Sequence, residues 1–110
     1  MIYTNKPEYS QDELRAKAER YCARAERCPW QMRQKLYQWG ADSDTQQQIM
    51  AHLEEHHYLD TARFCRAYVH DHYFINHWPV EKIRAGLYQL RLPSGDICEA
   101  LQQIAEALQE

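Results

Sequence analysis

The chain has 110 residues, a net charge of −3 with neutral histidines, and 45% apolar against 26% charged residues. That describes one small domain or a short array of repeats, long enough to bury a core without covalent staples. Three glycines and four prolines are too few for an all-β fold, no apolar run approaches the roughly 18 residues of a membrane span, and Met1-Ile2-Tyr3-Thr4-Asn5-Lys6-Pro7 lacks a signal peptide's apolar core, so the cytoplasm is expected.

Residues 1–9 read as a flexible N-terminus. Ser10-Gln11-Asp12-Glu13 has the form of a capping box. Leu14, Ala18, Tyr21, Cys22 and Ala25 follow at helical spacing, which predicts a first helix over 11–27. Pro29 suits the first turn of a second helix, 29–39, with Met32, Leu36 and Trp39 as its stripe and Gly40 as its stop. Ser43-Asp44-Thr45-Gln46 reads as another capping box, opening a helix over 44–57 whose inner face holds Ile49, Met50, Leu53 and His57.

Asp60 can cap a fourth helix, 60–75, with Phe64, Cys65, Tyr68 and Val69 on one face. Tyr58 and Leu59 stand where a hydrophobic staple would pack back onto its first turn. Asn76-His77-Trp78-Pro79 breaks it. A fifth helix, 79–91, carries Ile83, Leu87 and Leu90, and Leu92-Pro93 ends it. A sixth begins at Ser94 or Asp96 and runs through Ile97, Leu101, Ile104 and Leu108. The fold class is therefore all-α.

A repeat is visible. Met32-Arg33-Gln34-Lys35-Leu36-Tyr37-Gln38 lines up with Ile83-Arg84-Ala85-Gly86-Leu87-Tyr88-Gln89, Arg20-Tyr21-Cys22 with Arg63-Phe64-Cys65, and Ile49 and Leu53 with Ile97 and Leu101. The three matches need different offsets. They predict two three-helix repeats, 10–57 and 58–110, stacked as an elongated, gently curved array.

Charge is banded. Residues 14–35 hold seven Lys/Arg against two Glu, and residues 63–91 five against two. Residues 36–62 and 92–110 contain no Lys or Arg. A charge run commonly marks a solvated face, and a negative total disfavours nucleic acid. Bands that recur with the repeat instead place the basic helices together.

The residues Leu59-Asp60-Thr61-Ala62-Arg63-Phe64-Cys65-Arg66-Ala67-Tyr68, with Arg33-Gln34-Lys35-Leu36, Gly40, Ile83-Arg84 and Leu87, resemble the RecX family of bacterial modulators of the RecA recombinase. The resemblance covers about residues 14–108. Thr61 stands where the family pattern has a second Asp, Ile75 and His77 where positive charge is common, and a third repeat found in most relatives does not follow. The resemblance implies tandem three-helix repeats and a non-enzymatic regulator of homologous recombination, DNA repair and the SOS response. It implies a monomer that binds the RecA filament, and single- or double-stranded DNA weakly, without a cofactor.

On that basis the candidate contacts are Arg20, Arg24, Arg33 and Lys35 in the first repeat and Arg63, Arg66, Lys82, Arg84 and Arg91 in the second. Cationic side chains supply sequence-independent phosphate affinity. Tyr37, Trp78 and Tyr88 can stack on unpaired bases or pack between helices. Arg63 can serve a partner or simply pair with Asp60 at i, i+3.

Other chemistry is sparse. Cys22, Cys28, Cys65 and Cys98 form no C-x-x-C pair, and Cys22 and Cys65 suit apolar helix faces as reduced thiols. His52 and His56 share a helix face at a spacing that could hold zinc, but their order is not His-Glu-x-x-His. No metal is assigned. There is no phosphate loop, nucleophile elbow or paired-carboxylate arrangement. The alternatives to a filament regulator are a helical protein–protein adaptor without nucleic-acid contact and a zinc enzyme using His52 and His56.

Overall fold

The computed structural model describes residues 9–109, so most of the N-terminal segment read as flexible lies outside the described residues. Six α-helices and one π-helix follow in order: α1 Gln11–Arg24, α2 Pro29–Gln38, α3 Ser43–Glu55, α4 Thr61–Val69 continuing into a π-helix His70–Ile75, α5 Val80–Gln89 and α6 Ser94–Leu108. No strand occurs among the described residues. The all-α reading holds. Contacts divide the chain into two units, Met1–Leu59 and Asp60–Glu110.

In the first unit, the Ser10 hydroxyl accepts from the Glu13 N–H at 3.1 Å and the Glu13 carboxylate accepts from the Ser10 N–H at 3.0 Å. These two bonds satisfy N–H groups that a helix start leaves orphaned. They also hold the Glu13 carboxyl below its usual range, chiefly through the Ser10 backbone bond. The α3 cap differs from expectation. Asp42, not Ser43, accepts from the Thr45 N–H, at 2.8 Å. The helix thus starts one residue early.

The unit's core is Leu14, Ala18, Met32, Leu36, Ala41, Ile49, Met50, Leu53 and Leu59, with Tyr9, Tyr21, Cys22, Trp39 and Tyr58 packed against it. Each fully buried Leu or Ile contributes about 1.5–3 kcal/mol of transfer free energy. Tyr58 and Leu59 belong to this core. They serve the helix before them, where a staple would have served the helix after.

In the second unit, Asp60 caps α4 as expected, accepting from the Arg63 N–H at 2.9 Å. Its carboxyl sits below its usual range through that bond first, with the Arg63 and Arg66 charges adding to it. Phe64, Cys65, Val69, Ile83, Leu87, Leu92, Ile97, Ala100 and Ile104 are buried. The Thr61 hydroxyl donates to the Asp96 carboxylate at 2.5 Å, joining α4 to α6. An Asp at 61 would instead set two carboxylates against each other.

Four helical segments end alike. After each comes a residue with positive φ: Gly40 at 88°, His57 at 62°, His77 at 61° and Arg91 at 60°. The next residue's N–H then reaches back to a carbonyl inside the helix: Ala41 to Leu36, Tyr58 to Leu53, Trp78 to His72 and Leu92 to Leu87. At the three α-helical ends this is the Schellman arrangement, which satisfies carbonyls that a helix end leaves open. His57 is therefore an exposed cap and not an inner-face residue. Leu108, placed on the inner stripe by periodicity, is 74% exposed.

The cap-to-cap geometry corrects the register of the repeat. From α2 onward the units match at a constant offset of 51: Met32 with Ile83, Leu36 with Leu87, Gly40 with Arg91, Ala41 with Leu92, Ile49 with Ala100 and Leu53 with Ile104. The pairing of Ile49 and Leu53 with Ile97 and Leu101 was three residues out of step with this. The N-caps, Ser10 and Asp60, stand 50 apart. The extra residue lies between them and α5: α4 and the π-helix have nine and six residues, against fourteen in α1. A π-helix turn holds one residue more than an α turn, and the Asn76 N–H bonds five residues back to Asp71.

Candidate nucleic-acid interface

Helical spacing decides which candidates share a face. Arg20 and Arg24 sit four apart on α1 and both are exposed. They form no ion pair or side-chain hydrogen bond with the described residues. Arg33 and Tyr37 repeat that spacing on α2, and with Trp30, Gln34 and Gln38 they line an open groove of about 510 Å³. Tyr37 is 76% exposed, so its ring serves little internal packing. Arg33 also borders a second groove with Ser43, Gln46, Gln47, Met50, Ala51 and Glu54 of α3.

Lys35 departs from this group. It is half-buried, with its ammonium 5.5 Å from the centre of the Tyr21 ring. Two cations that sequence reasoning did not single out act the same way. The Arg27 guanidinium lies 3.8 Å over Tyr21 while its Nε–H donates to the Tyr21 carbonyl at 3.0 Å. The Lys17 ammonium lies 4.8 Å over Trp39 and 5.1 Å over Tyr9. Tyr21 and Trp39 meet edge-on at 5.9 Å. Part of the basic band is thus spent holding aromatic rings within the unit. Such contacts are worth about 0.5–1 kcal/mol each at exposed sites.

In the second unit, Arg66, Lys82 and Arg91 are exposed, while Arg63 and Arg84 are half-buried. Arg63 offers its N–H to Asp60 and its charge to the same carboxyl. The bond to Asp60 is the N-cap bond of the Arg63 backbone, and the guanidinium acts on that carboxyl only through its charge. Arg84 is ion-paired with Glu81. The Lys82 ammonium lies 4.0 Å over Trp78. Arg91 is the positive-φ cap of α5. Tyr88 is 49% exposed, whereas Trp78 is half-buried within a ring cluster. Sequence reasoning missed Tyr73, Phe74 and His77, which line an open pocket with Trp78. The Phe74 to Trp78 spacing of four residues was the signal available.

His52 places its Nε2 2.7 Å from the Glu19 carboxylate, tying α3 to α1, and its ring centre is 4.5 Å from that of His56. Among the described residues no three His, Cys, Asp or Glu side chains are placed to hold a metal ion. Cys28 and Cys65 are buried, Cys22 is half-buried and Cys98 is exposed. Burial pushes the Cys28 thiol up, away from reactive thiolate. No helix among the described residues is long and apolar enough to cross a membrane.

Comparison with known proteins gives three findings. Residues 15–53 match the family model of the first three-helix domain of RecX. A crystal structure of regulatory protein RecX superposes with a TM-score of 0.74 at 21% identity, covering 86% of this chain and 48% of that one. The chain therefore spans about half the length of that structure and shares its fold. No curated protein matches the sequence.

Proposed function

We propose, on the footing of the match of residues 15–53 to the first three-helix domain of RecX, that the chain is a RecX-type protein and a non-enzymatic regulator of homologous recombination and DNA repair. It binds along a RecA-type recombinase filament as a monomer in the cytoplasm, contacts DNA weakly, and restrains the filament. The family match carries this reading. Exposed cations support it: Arg20, Arg24 and Arg33 in one unit, Arg66 and Lys82 in the other. In this reading each set meets the backbone of the nucleoprotein filament, where phosphate contacts are independent of sequence. Adding the protein to RecA assembled on single-stranded DNA should depress ATP hydrolysis. Unchanged hydrolysis at stoichiometric excess rejects the proposal.

A helical adaptor that avoids nucleic acid is the second reading. The net charge of −3 and the cations laid over the chain's own rings favour it. Filter binding at about 50 and about 200 mM salt separates the two, because each phosphate contact to a single strand adds about −0.7 to the salt slope. A flat response selects the adaptor.

A further inference from the structure

The π-helical end of α4 builds a feature that the proposed function leaves unused. Tyr73, Phe74, His77 and Trp78 line an open cup of about 290 Å³. Ligand sites for drug-sized molecules run from about 300 Å³ upward, so this cup suits a single flat ring system.

Its wall is braced. Tyr68 stacks on His72 at 4.0 Å and 27°, and His72 lies 4.1 Å from Trp78. His72 Nδ1 is 2.8 Å from the Tyr68 carbonyl, and the Trp78 N–H donates to the His72 carbonyl at 2.8 Å. Gly86 leaves the space that the Tyr68 hydroxyl occupies; a Cβ there would collide with it. Trp78 has His72 and the Lys82 ammonium as close neighbours.

Phe74 differs. It is 37% exposed, with Tyr73 edge-on at 5.0 Å and His70 tilted at 5.9 Å. None of the described aromatic contacts stacks in parallel on its face. One cation borders the cup: the Lys82 ammonium lies 4.0 Å over Trp78, which lines the cup with Phe74.

The geometry points to a nucleobase cup: an unpaired base of a single strand stacks on Phe74 against the Trp78 wall, with its phosphate toward Lys82. This rests on the DNA contact of the proposed function and gives that contact a seat. A duplex keeps its bases inside the stack and cannot fill the cup. A cationic peptide would meet the Lys82 charge, whereas a phosphodiester strand complements it. Stacking on an aromatic platform tolerates any base.

The test compares fluorescence anisotropy of a labelled thymidine dodecamer with that of an abasic dodecamer carrying the same phosphates. The intact chain should prefer the thymidine strand by at least about fivefold, the lower end for one stacked base. Phe74→Ala and Phe74→Leu should erase the preference while leaving the abasic affinity and its salt slope unchanged. Phe74→Tyr should retain it. Circular dichroism of each variant confirms the fold, and Phe74→Leu keeps the apolar bulk should Phe74→Ala unfold. Equal binding of both strands overturns the cup and leaves the phosphate contacts standing. A preference that survives Phe74→Leu overturns it as well. Binding to neither strand removes the DNA contact and the cup together. Competition by an aromatic peptide, with no preference between strands, reassigns the cup to a protein side chain.

Discussion

The two units solve one packing problem and diverge on the surface. At matched positions Met32 and Ile83, and Leu36 and Leu87, are all fully buried. Around those constants the side chains differ. Arg33 borders two grooves, whereas Arg84 is held by Glu81. Lys35 reaches a ring, whereas its counterpart Gly86 makes room for one. The first unit spreads Lys17, Arg27 and Lys35 over Tyr9, Tyr21 and Trp39. The second gathers Tyr68, His72, Tyr73, Phe74 and Trp78 at the end of one helix. Burial preserves spacing, because moving a core residue off its face costs several kcal/mol. Solvent imposes no such penalty, so function is free to differ between the two.

The core equivalence breaks most visibly under truncation. Leu36→Ala and Leu87→Ala should each lose about 2–5 kcal/mol and agree within a factor of two, as measured by urea denaturation. A large disparity would mean that equal burial hides unequal packing. Thr61→Asp restores the residue of the family pattern and should still destabilise, by about 1–3 kcal/mol, because the new carboxylate faces Asp96 and the hydroxyl donor is lost. Adding Asp96→Asn should return most of that loss. No such partner conflict exists at the matching N-cap turn of α1, where Gln11 instead meets Gln48.

The helix ends allow a finer comparison. Gly40→Ala should cost about 1 kcal/mol in thermal melts, since its φ of 88° disfavours a side chain although open space surrounds it. Arg91→Gly should gain up to about 1 kcal/mol, because the same turn there carries a side chain at φ 60°.

The smallest effect is acid sensitivity. Asp60 and Asp42 both have carboxyl pKa values lowered from the usual 3.8. Their stabilisation is present above that value and is lost as pH falls through the lower folded-state value. Asp42 draws on hydrogen bonds from Thr45, the backbone first and the side chain second, whereas Asp60 adds the Arg63 and Arg66 charges to its Arg63 backbone bond. Asp60→Ala and Asp42→Ala should each lower Tm at pH 7 and converge on the unmutated chain near pH 2. Added salt should shrink only the Asp60 effect.

Sequence patterns revealed each helix wherever a residue type has one strong local role. Ser10, Pro29, Gly40 and Asp60 all behaved as their chemistry demands. The ends closed by His57, His77 and Arg91 carried no such mark, because the turn needs positive φ but not glycine. Ser43 disguised the true cap because Asp42, beside it, is equally able to accept. The π-helix was invisible for a different reason: apolar periodicity over six residues cannot separate a wide turn from an ordinary one. At the candidate interface, exposure followed helical spacing for Arg20, Arg24 and Arg33. The capture of Lys35 by Tyr21, and of Arg84 by Glu81, depended on neighbours that pattern alone does not place.

The single surplus residue in His70–Ile75 has a genetic corollary. Two copies descended from one ancestral segment would need only one inserted codon to reach their present difference in length before α5. Excising that codon should tighten the helix without disturbing what lies downstream, while unseating Phe74 from beside Trp78. One triplet of DNA would then separate a plain scaffold from one with a place to grip.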